Sequence, residues 1–339
     1  MSEVATAGTT PAHGGHAAVS AAWSLPDARR VLQLGLAAVW LLDAILQYQS
    51  WMFTKAFGQM LAASAAGNPG VIASPITWSA GIVEHHPVST NAAFATIQLL
   101  LALGIAWRPT VKLALGASVV WALAVWWLGE GLGEVLNSGA SPVSGAPGAV
   151  IIYALLAVLL WPADRGAATA PFVAARAVGA RAAQALWLVL WLSLAYFSLI
   201  PGNRAPQALH DMISGMASGE PGWLGSLNNH AASLLAHQGL AASIVLAVVL
   251  AFIGIGVFLP APGARAAVVA AIILAALIWV FGEDLGEIFT GSATDPNTGP
   301  LLALLALAYW PARTGLPART GRPARPAAAP AEPALEEGH

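Results

Sequence analysis

Paired carboxylates occur in two closely similar stretches of the chain, WWLGEGLGEVL at 126–136 and WVFGEDLGEIF at 279–289. The acids of these stretches are Glu130, Glu134, Glu283, Asp284 and Glu287. In an α-helix, two glutamates four residues apart lie on one face, where their like charges repel each other unless a cation or proton compensates. One interpretation is therefore a site that binds a cation or handles protons.

The same carboxylates also have a purely structural interpretation. Lys112 precedes Glu130 by 18 residues, and Arg265 precedes Glu283 by 18 residues. That spacing corresponds to about 27 Å of α-helix, so each helix would have a base at the inner membrane boundary and an acid at the outer one. The carboxylates would then only end a helix, paired with backbone donors or with the few bases on the outer side.

Two histidines, His86 and His237, lie at equivalent positions, each 23 residues before a proline, and His85 adjoins the first. Because the chain has no cysteine, nitrogen and oxygen atoms would have to hold any metal. Imidazoles beside carboxylates suit zinc, copper(II), manganese or non-haem iron, and two imidazoles suit a haem. No H-x-x-x-H spacing is present, so the alternative is a hydrogen-bonding group or a helix cap.

Asp43 is an acid at membrane depth. It lies about 20 Å from Arg30 along a helix, where an ionisable group is costly unless it faces the interior of the helix bundle. One interpretation is pairing with Lys55 or an outer histidine, and the other is protonation coupled to transport. Its counterpart in the second half is about Leu194, so the role of Asp43 is not symmetric.

The elements that position these residues are predicted to be membrane helices. Of the 339 residues, 58% are hydrophobic and 9% are charged, far fewer charges than the roughly 25% of soluble domains. Eight apolar runs are candidate spans, at about 31–51, 89–107, 111–129, 143–161, 183–201, 239–259, 266–282 and 296–312. The runs at 143–161 and 296–312 are the weakest, and a short or re-entrant helix is the alternative there.

The matching stretches predict an all-α integral membrane protein of two tandem four-helix repeats. The predicted units are a disordered tail at 1–28, repeats at 29–162 and 181–312, a linker at 163–180, and a second disordered tail at 313–339. In each repeat, a long connection (52–88 and 202–238) carries apolar residues at helical spacing. These connections predict interfacial helices on the outer face.

The distribution of basic residues predicts a multi-pass protein of the cell membrane with both termini in the cytoplasm. Only Lys55 and Arg204 of the 14 Lys and Arg fall in the outer segments. Nine acids fall there, an excess that topology alone does not require. The net charge of -2, without a basic stretch, argues against nucleic acid as a partner.

The stretches TKAFGQML at 54–61 and QLLLALGIAWRPTVKLALGASVVWALA at 98–124 follow a first span in a layout that resembles the DoxX-like family of four-helix membrane proteins. The resemblance implies two such units, at about 30–162 and 181–312. It also implies a redox-associated role, since similar proteins are linked to quinone-dependent thiosulfate oxidation and to maturation of redox cofactors. The G-E-x-L-G-E element is not part of that family's pattern, so no functional residue carries over.

Three functions are compatible with these features. The first is binding or transport of a cation or small solute in an outward-facing pocket, with Glu130, Glu134, Glu283 and Glu287 compensating charge and the histidines as ligands or proton acceptors. The second is a membrane subunit of a redox system that holds haem or quinone and meets a redox partner protein. The third is an assembly partner without small-molecule chemistry. Whether the protein is an enzyme stays open, and no catalytic residue is assigned.

Overall fold

The computed structural model describes residues 25–164 and 170–312, and over these residues the fold is helical, without strands. Residues 1–24 of the tail predicted at 1–28, the whole tail predicted at 313–339, and residues 165–169 at the centre of the predicted linker lie outside the described residues. The helices are α1 Leu25–Leu46, α2 Lys55–Ala63, α3 Gly70–His85, α4 Pro87–Ala106, α5 Val111–Leu128, α6 Ala149–Leu159, α7 Val173–Val178, α8 Ala180–Ser198, α9 Ala208–Met216, α10 Gly222–Leu235, α11 Gly239–Gly256, α12 Ala261–Leu277 and α13 Thr298–Ala308.

Five helical segments are long and apolar enough to cross a membrane, which indicates a multi-pass membrane protein. They are Pro87–Ala106, Arg108–Leu128, Ala180–Ser198, Gly239–Gly256 and Ala261–Gly282. Helix α1 is long enough, with 22 residues, but it is not in this group because its charged residues include Arg29, Arg30 and Asp43.

Helices α6 and α13 have 11 residues each. At 1.5 Å per residue, each covers only about 16 Å, roughly half of the hydrocarbon thickness. The alternative of short helices within 143–161 and 296–312 is therefore confirmed.

The same helix pairs pack together in both halves of the chain. Helix α1 packs on α4 as α8 packs on α11, α2 packs on α3 as α9 packs on α10, and α5 packs on α6 as α12 packs on α13. The two halves meet where α6 contacts α13, and α13 also contacts α1. The short helices therefore form the centre of the molecule.

Small residues bring consecutive long helices together at matching places. A Cβ added to Gly104 in α4 would lie 2.8 Å from Ala114 Cβ in α5, and one added to Gly256 in α11 would lie 2.1 Å from Ala267 Cβ in α12. In lipid, where the hydrophobic effect does not drive helices together, such close contact supplies the packing energy.

Buried arginines fix the end of the bundle that is predicted to face the cytoplasm. Arg29 of α1 and Arg176 of α7 both bind Asp164 at 2.6 Å, and each arginine is 7% exposed. Gln33 Nε2 donates to Leu160 O at 2.9 Å beside them. Helix α1 is thereby held against the C-terminal end of α6, at the end opposite the carboxylate stretches.

The long connections between α1 and α4 and between α8 and α11 contain helices, as predicted. They are α2 and α3 in the first half, and α9 and α10 in the second. Phe57 of α2 is 2% exposed and packs with Met52 and Val83. Helices α2 and α3 also pack against α4, and α3 packs against α5.

Candidate functional site

The carboxylate stretches form left-handed turns, so the predicted pairing of Glu130 with Glu134 on one helical face is wrong. Helix α5 ends at Leu128, and φ is positive at all four residues from 131 to 134. The turn at 284–287 has the same geometry, with positive φ throughout. Because the backbone reverses after Glu130, that side chain faces inward while Glu134 is exposed.

Glycine makes these turns possible. Gly133 has φ +60°, and a Cβ there would lie 1.8 Å from Pro147 O. Gly286 has φ +75°, and a Cβ there would lie 2.6 Å from the carbonyl carbon of Pro296. Each turn is therefore pressed against the segment that leads into the following short helix, a contact that a larger residue would block.

Glu130 and Glu283 cap the short helices that follow them. Glu130 Oε1 accepts hydrogen bonds from the backbone N–H groups of Ala149 at 3.1 Å and Val150 at 3.2 Å, the first residues of α6. Glu283 likewise accepts from the N–H groups of Thr298 at 3.2 Å and Gly299 at 3.0 Å in α13. The interpretation in which backbone donors compensate these carboxylates is confirmed for both glutamates.

Two tryptophans complete the correspondence between the stretches. Trp126 Nε1 donates to Pro147 O at 2.7 Å, and Trp279 Nε1 donates to Pro296 O at 2.9 Å. A tryptophan, a left-handed turn and a glutamate cap thus recur together at two places in the fold. The matched strings in the sequence therefore encode matched local structure.

A cavity of about 390 Å³ lies within the first half, between α1, α2, α3, α4 and α5. Its acidic lining residues are Asp43, Glu130 and Asp295, and Asp295 enters from the segment before α13. The aromatic lining residues are Trp40, Phe57, Phe94 and Trp121. No Lys, Arg or His is found among the described residues of the lining.

Several lining atoms are buried without a hydrogen-bond partner. Asp43 is 1% exposed, and its Oδ2 accepts a 2.6 Å hydrogen bond from Tyr153 Oη while its Oδ1 has none. The other buried atoms of the lining without a partner are Gln47 Oε1, Gln98 Oε1, Trp121 Nε1 and Glu130 Oε2. Because a buried polar group without a partner costs about 1–3 kcal/mol, the cavity is suited to a ligand that supplies the missing bonds.

Burial also changes the acidity of the cavity carboxyls. It raises the pKa of Asp295, against the opposing effect of hydrogen bonds from Thr294 and the Asn297 N–H. It raises the pKa of Glu130 well above the ordinary value, and the nearby charge of Asp295 adds to the effect. Ionising both groups together is therefore unfavourable unless a positive charge enters the cavity.

The second half has a different acidic cluster, formed by Glu220, Asp284 and Glu287. Asp284 is fully buried, and neither of its carboxylate oxygens has a hydrogen-bond partner. Burial, followed by the charges of Glu220 and Glu287, raises its pKa to about 7. Two of the predicted site residues, Asp284 and Glu287, thus lie together, but they do not line the cavity.

The structure divides the predicted ligand residues into separate groups. Asp43 and Glu130 line the cavity, Glu283 caps α13, and Glu134 is exposed. Asp295 was not predicted as a site residue. It follows a Ser/Thr-rich loop and precedes a proline, and nothing local in that sequence indicates that the loop of one half would reach the cavity of the other.

The histidines do not join the carboxylates of the cavity. His85, His86 and His237 are exposed, and none lines the cavity. His85 Nδ1 contacts Gly81 O at 2.7 Å, and His237 contacts Gln207. Within 25–164 and 170–312, no group of three histidine or acidic side chains could hold a metal ion. The hypothesis of a metal or haem at these histidines has no support there.

Comparisons with protein-family models, with curated proteins and with solved structures give no match to this chain. The DoxX-like resemblance is therefore still an expectation from the sequence. The chemistry of the cavity itself is what indicates a function.

Proposed function

We propose that this protein binds or transports a small solute, which it takes up in the cavity lined by Asp43, Glu130 and Asp295. The observation that carries the proposal is Asp43, a buried acid that lines a cavity of about 390 Å³ and has one carboxylate oxygen, Oδ1, without a hydrogen-bond partner. Small-molecule sites are typically mostly apolar pockets of about 300–1,000 Å³ with a few well-placed polar groups. This cavity has those properties.

The proposed architecture is two parallel four-helix units that together form one site. The shared helix pairing and the shared caps support a duplication, and Asp295 brings the second unit into the cavity of the first. At the positions equivalent to Asp43 and Asp295, the other half has Leu194 and Ala146. Divergence between the copies therefore explains why the pair Asp43 and Asp295 has no counterpart in the other half.

The proposed orientation places the cavity near the outer face of the cell membrane, with both termini in the cytoplasm. Glu130 follows the end of α5, while Lys112 and Arg108 lie at its other end. Because basic residues are retained on the cytoplasmic side, the Glu130 end of α5 faces outward. Helices α2 and α3 then cover the cavity from the outside.

Blocking the cavity tests the proposal. Ala124 of α5 lines the cavity, and Ala117, two turns earlier in the same helix, is exposed and does not line it. Purified protein in lipid nanodiscs would be titrated with small amphiphilic amines, alcohols, carboxylates and a quinone, with calorimetry and tryptophan fluorescence as readouts. We expect at least one class to bind wild-type protein and the Ala117→Phe variant but not the Ala124→Phe variant.

Two results would contradict a solute site in this cavity. One is the absence of binding by every class, and the other is binding that Ala124→Phe leaves unchanged. The optical spectrum of the same preparation addresses the redox alternative, because a stoichiometric haem would give a Soret band. Binding of the quinone alone, blocked by Ala124→Phe, would favour a quinone-linked role over solute uptake.

A further inference from the structure

We infer that the ligand of the cavity is an organic ammonium ion with an apolar, aromatic-sized body. This inference rests on the proposed function, because it specifies the chemical class of solute that the same cavity takes up. It follows from the balance of hydrogen-bonding groups, the sign of the charges and the character of the walls.

The hydrogen-bonding groups of the cavity require a donor-rich ligand. Among the buried atoms of the lining residues without a partner, Asp43 Oδ1 and Glu130 Oε2 are acceptors when their carboxyl groups are ionised, which is the state that a bound cation favours. Gln47 and Gln98 each add an unpaired amide oxygen, and Trp121 Nε1 is the one unpaired donor in this set. A primary ammonium group carries three N–H donors and no acceptor, which complements this lining.

The charge of the cavity favours a cation over a neutral donor. Three carboxyl groups reach the cavity, and the described lining has no basic side chain that could neutralise them. A carboxylate that is buried without a counter-ion is strongly destabilised, whereas a charge-assisted hydrogen bond to an ammonium is about twice as strong as a neutral one. An ammonium ion thus supplies both the missing charge and the missing donors.

The walls of the cavity suit an apolar body attached to that ammonium. Phe94 makes edge contacts with Phe57, at a centroid distance of 6.3 Å, and with Trp121, at 5.4 Å. These rings line the same cavity as the acids. Aromatic faces attract cations and pack against apolar groups, so they favour an amphiphilic amine over a strongly hydrated inorganic ion.

The effect of ligand charge is tested with three probes that share one carbon skeleton: phenylbutylamine, phenylbutanol and phenylbutyrate. They would be titrated into wild-type protein in nanodiscs at neutral pH, and into Asp43→Asn, Glu134→Gln and Ala124→Phe variants. Asparagine retains an oxygen that accepts the bond from Tyr153, so Asp43→Asn preserves the local packing. Glu134 is exposed outside the cavity, and Glu134→Gln is the matched control for loss of an acid.

We expect the amine to bind at least about tenfold more tightly than the alcohol, and the carboxylate to bind most weakly. Asp43→Asn should remove about tenfold of the preference for the amine and leave the affinity for the alcohol nearly unchanged. Glu134→Gln should change neither affinity. Thermal unfolding of each variant without ligand would establish that the fold is retained.

The results separate this inference from the proposed function. If the alcohol binds as tightly as the amine and Ala124→Phe blocks both, the cavity is a solute site but the ligand is not a cation. The inference is also wrong if Asp43→Asn retains the full preference for the amine, or if no probe binds. Binding of the amine that Ala124→Phe does not affect would overturn both proposals.

Discussion

Tyr153 Oη donates a 2.6 Å hydrogen bond to Asp43 Oδ2, and this bond joins the short helix α6 to the long helix α1 beside the cavity. Both residues are essentially fully buried. The bond fixes the carboxylate of a residue that lines the cavity, and Oδ1 has no hydrogen-bond partner. At the positions that the proposed duplication makes equivalent, the second half has Leu194 and Leu302, so this polar pair occurs only in the first half.

Removing the hydroxyl group of Tyr153 should destabilise the protein. We expect Tyr153→Phe to lower the free energy of unfolding by about 1–3 kcal/mol, because Asp43 then has no side-chain partner for either oxygen. Reversible unfolding in mixed micelles would measure the change. Tyr196→Phe is the control, since Tyr196 is 67% exposed. Equal stability of the two variants would mean that the bond to Asp43 contributes little.

Glycine in the left-handed turns should be essential for packing. We expect Gly133→Ala to destabilise the protein by at least about 2 kcal/mol, because a Cβ would lie 1.8 Å from Pro147 O and the residue has positive φ. Thermal unfolding of the purified variant would measure the loss. Gly139→Ala is the control, since no atom lies within 4 Å of its added Cβ. A similar loss in both variants would contradict the close contact.

Stability should fall as the pH rises toward neutrality. Burial raises the pKa of Glu283 from 4.5 to about 7, so the folded protein holds a proton that the unfolded chain releases above pH 4.5. The retained proton adds roughly 3 kcal/mol to the free energy of unfolding below about pH 4.5. This stabilisation is lost as the pH rises to about 7. The pKa of Asp284 is raised as well, so this residue also makes the folded protein less stable as the pH rises.

Unfolding measured from acid to neutral pH would test this dependence. Glu283→Gln should flatten the profile, since glutamine keeps one of the two acceptor oxygens of the α13 cap and has no titrating proton. Glu134→Gln, at the equivalent turn but exposed, should leave the profile unchanged. A wild-type profile that rises with pH, or an unaltered slope in Glu283→Gln, would show that Glu283 is ionised in the folded protein.

The proposed orientation can be tested with single cysteines, because the chain has none of its own. Ser138 is exposed between α5 and α6, and Ala261 is exposed at the start of α12. We expect a membrane-impermeant maleimide to label Ser138→Cys on intact cells and to label Ala261→Cys only after lysis. The reverse pattern would invert the topology and place the cavity near the inner face.

The sequence by itself determined the helical class, the position of most helices and the two matching stretches. Long uncharged runs can satisfy their backbone hydrogen bonds in lipid only as helices, so α4, α5, α8, α11 and α12 follow from composition and length. Asp43 was recognisable as a special residue for the same reason, because an acid at membrane depth is costly. The short apolar runs at 143–161 and 296–312 also made these two the weakest of the eight candidate spans, with short helices as the alternative.

Only the tertiary structure decided how the acids are distributed. A regular helix through Glu130 and Glu134 would have paired them, but the left-handed turn at 131–134 separates them, and glycine patterns alone do not specify that turn. Asp295 joins Asp43 and Glu130 although more than 160 residues of chain separate it from Glu130. Such proximity depends on how α6 and α13 pack at the centre, and packing between distant segments leaves no local signal in the sequence.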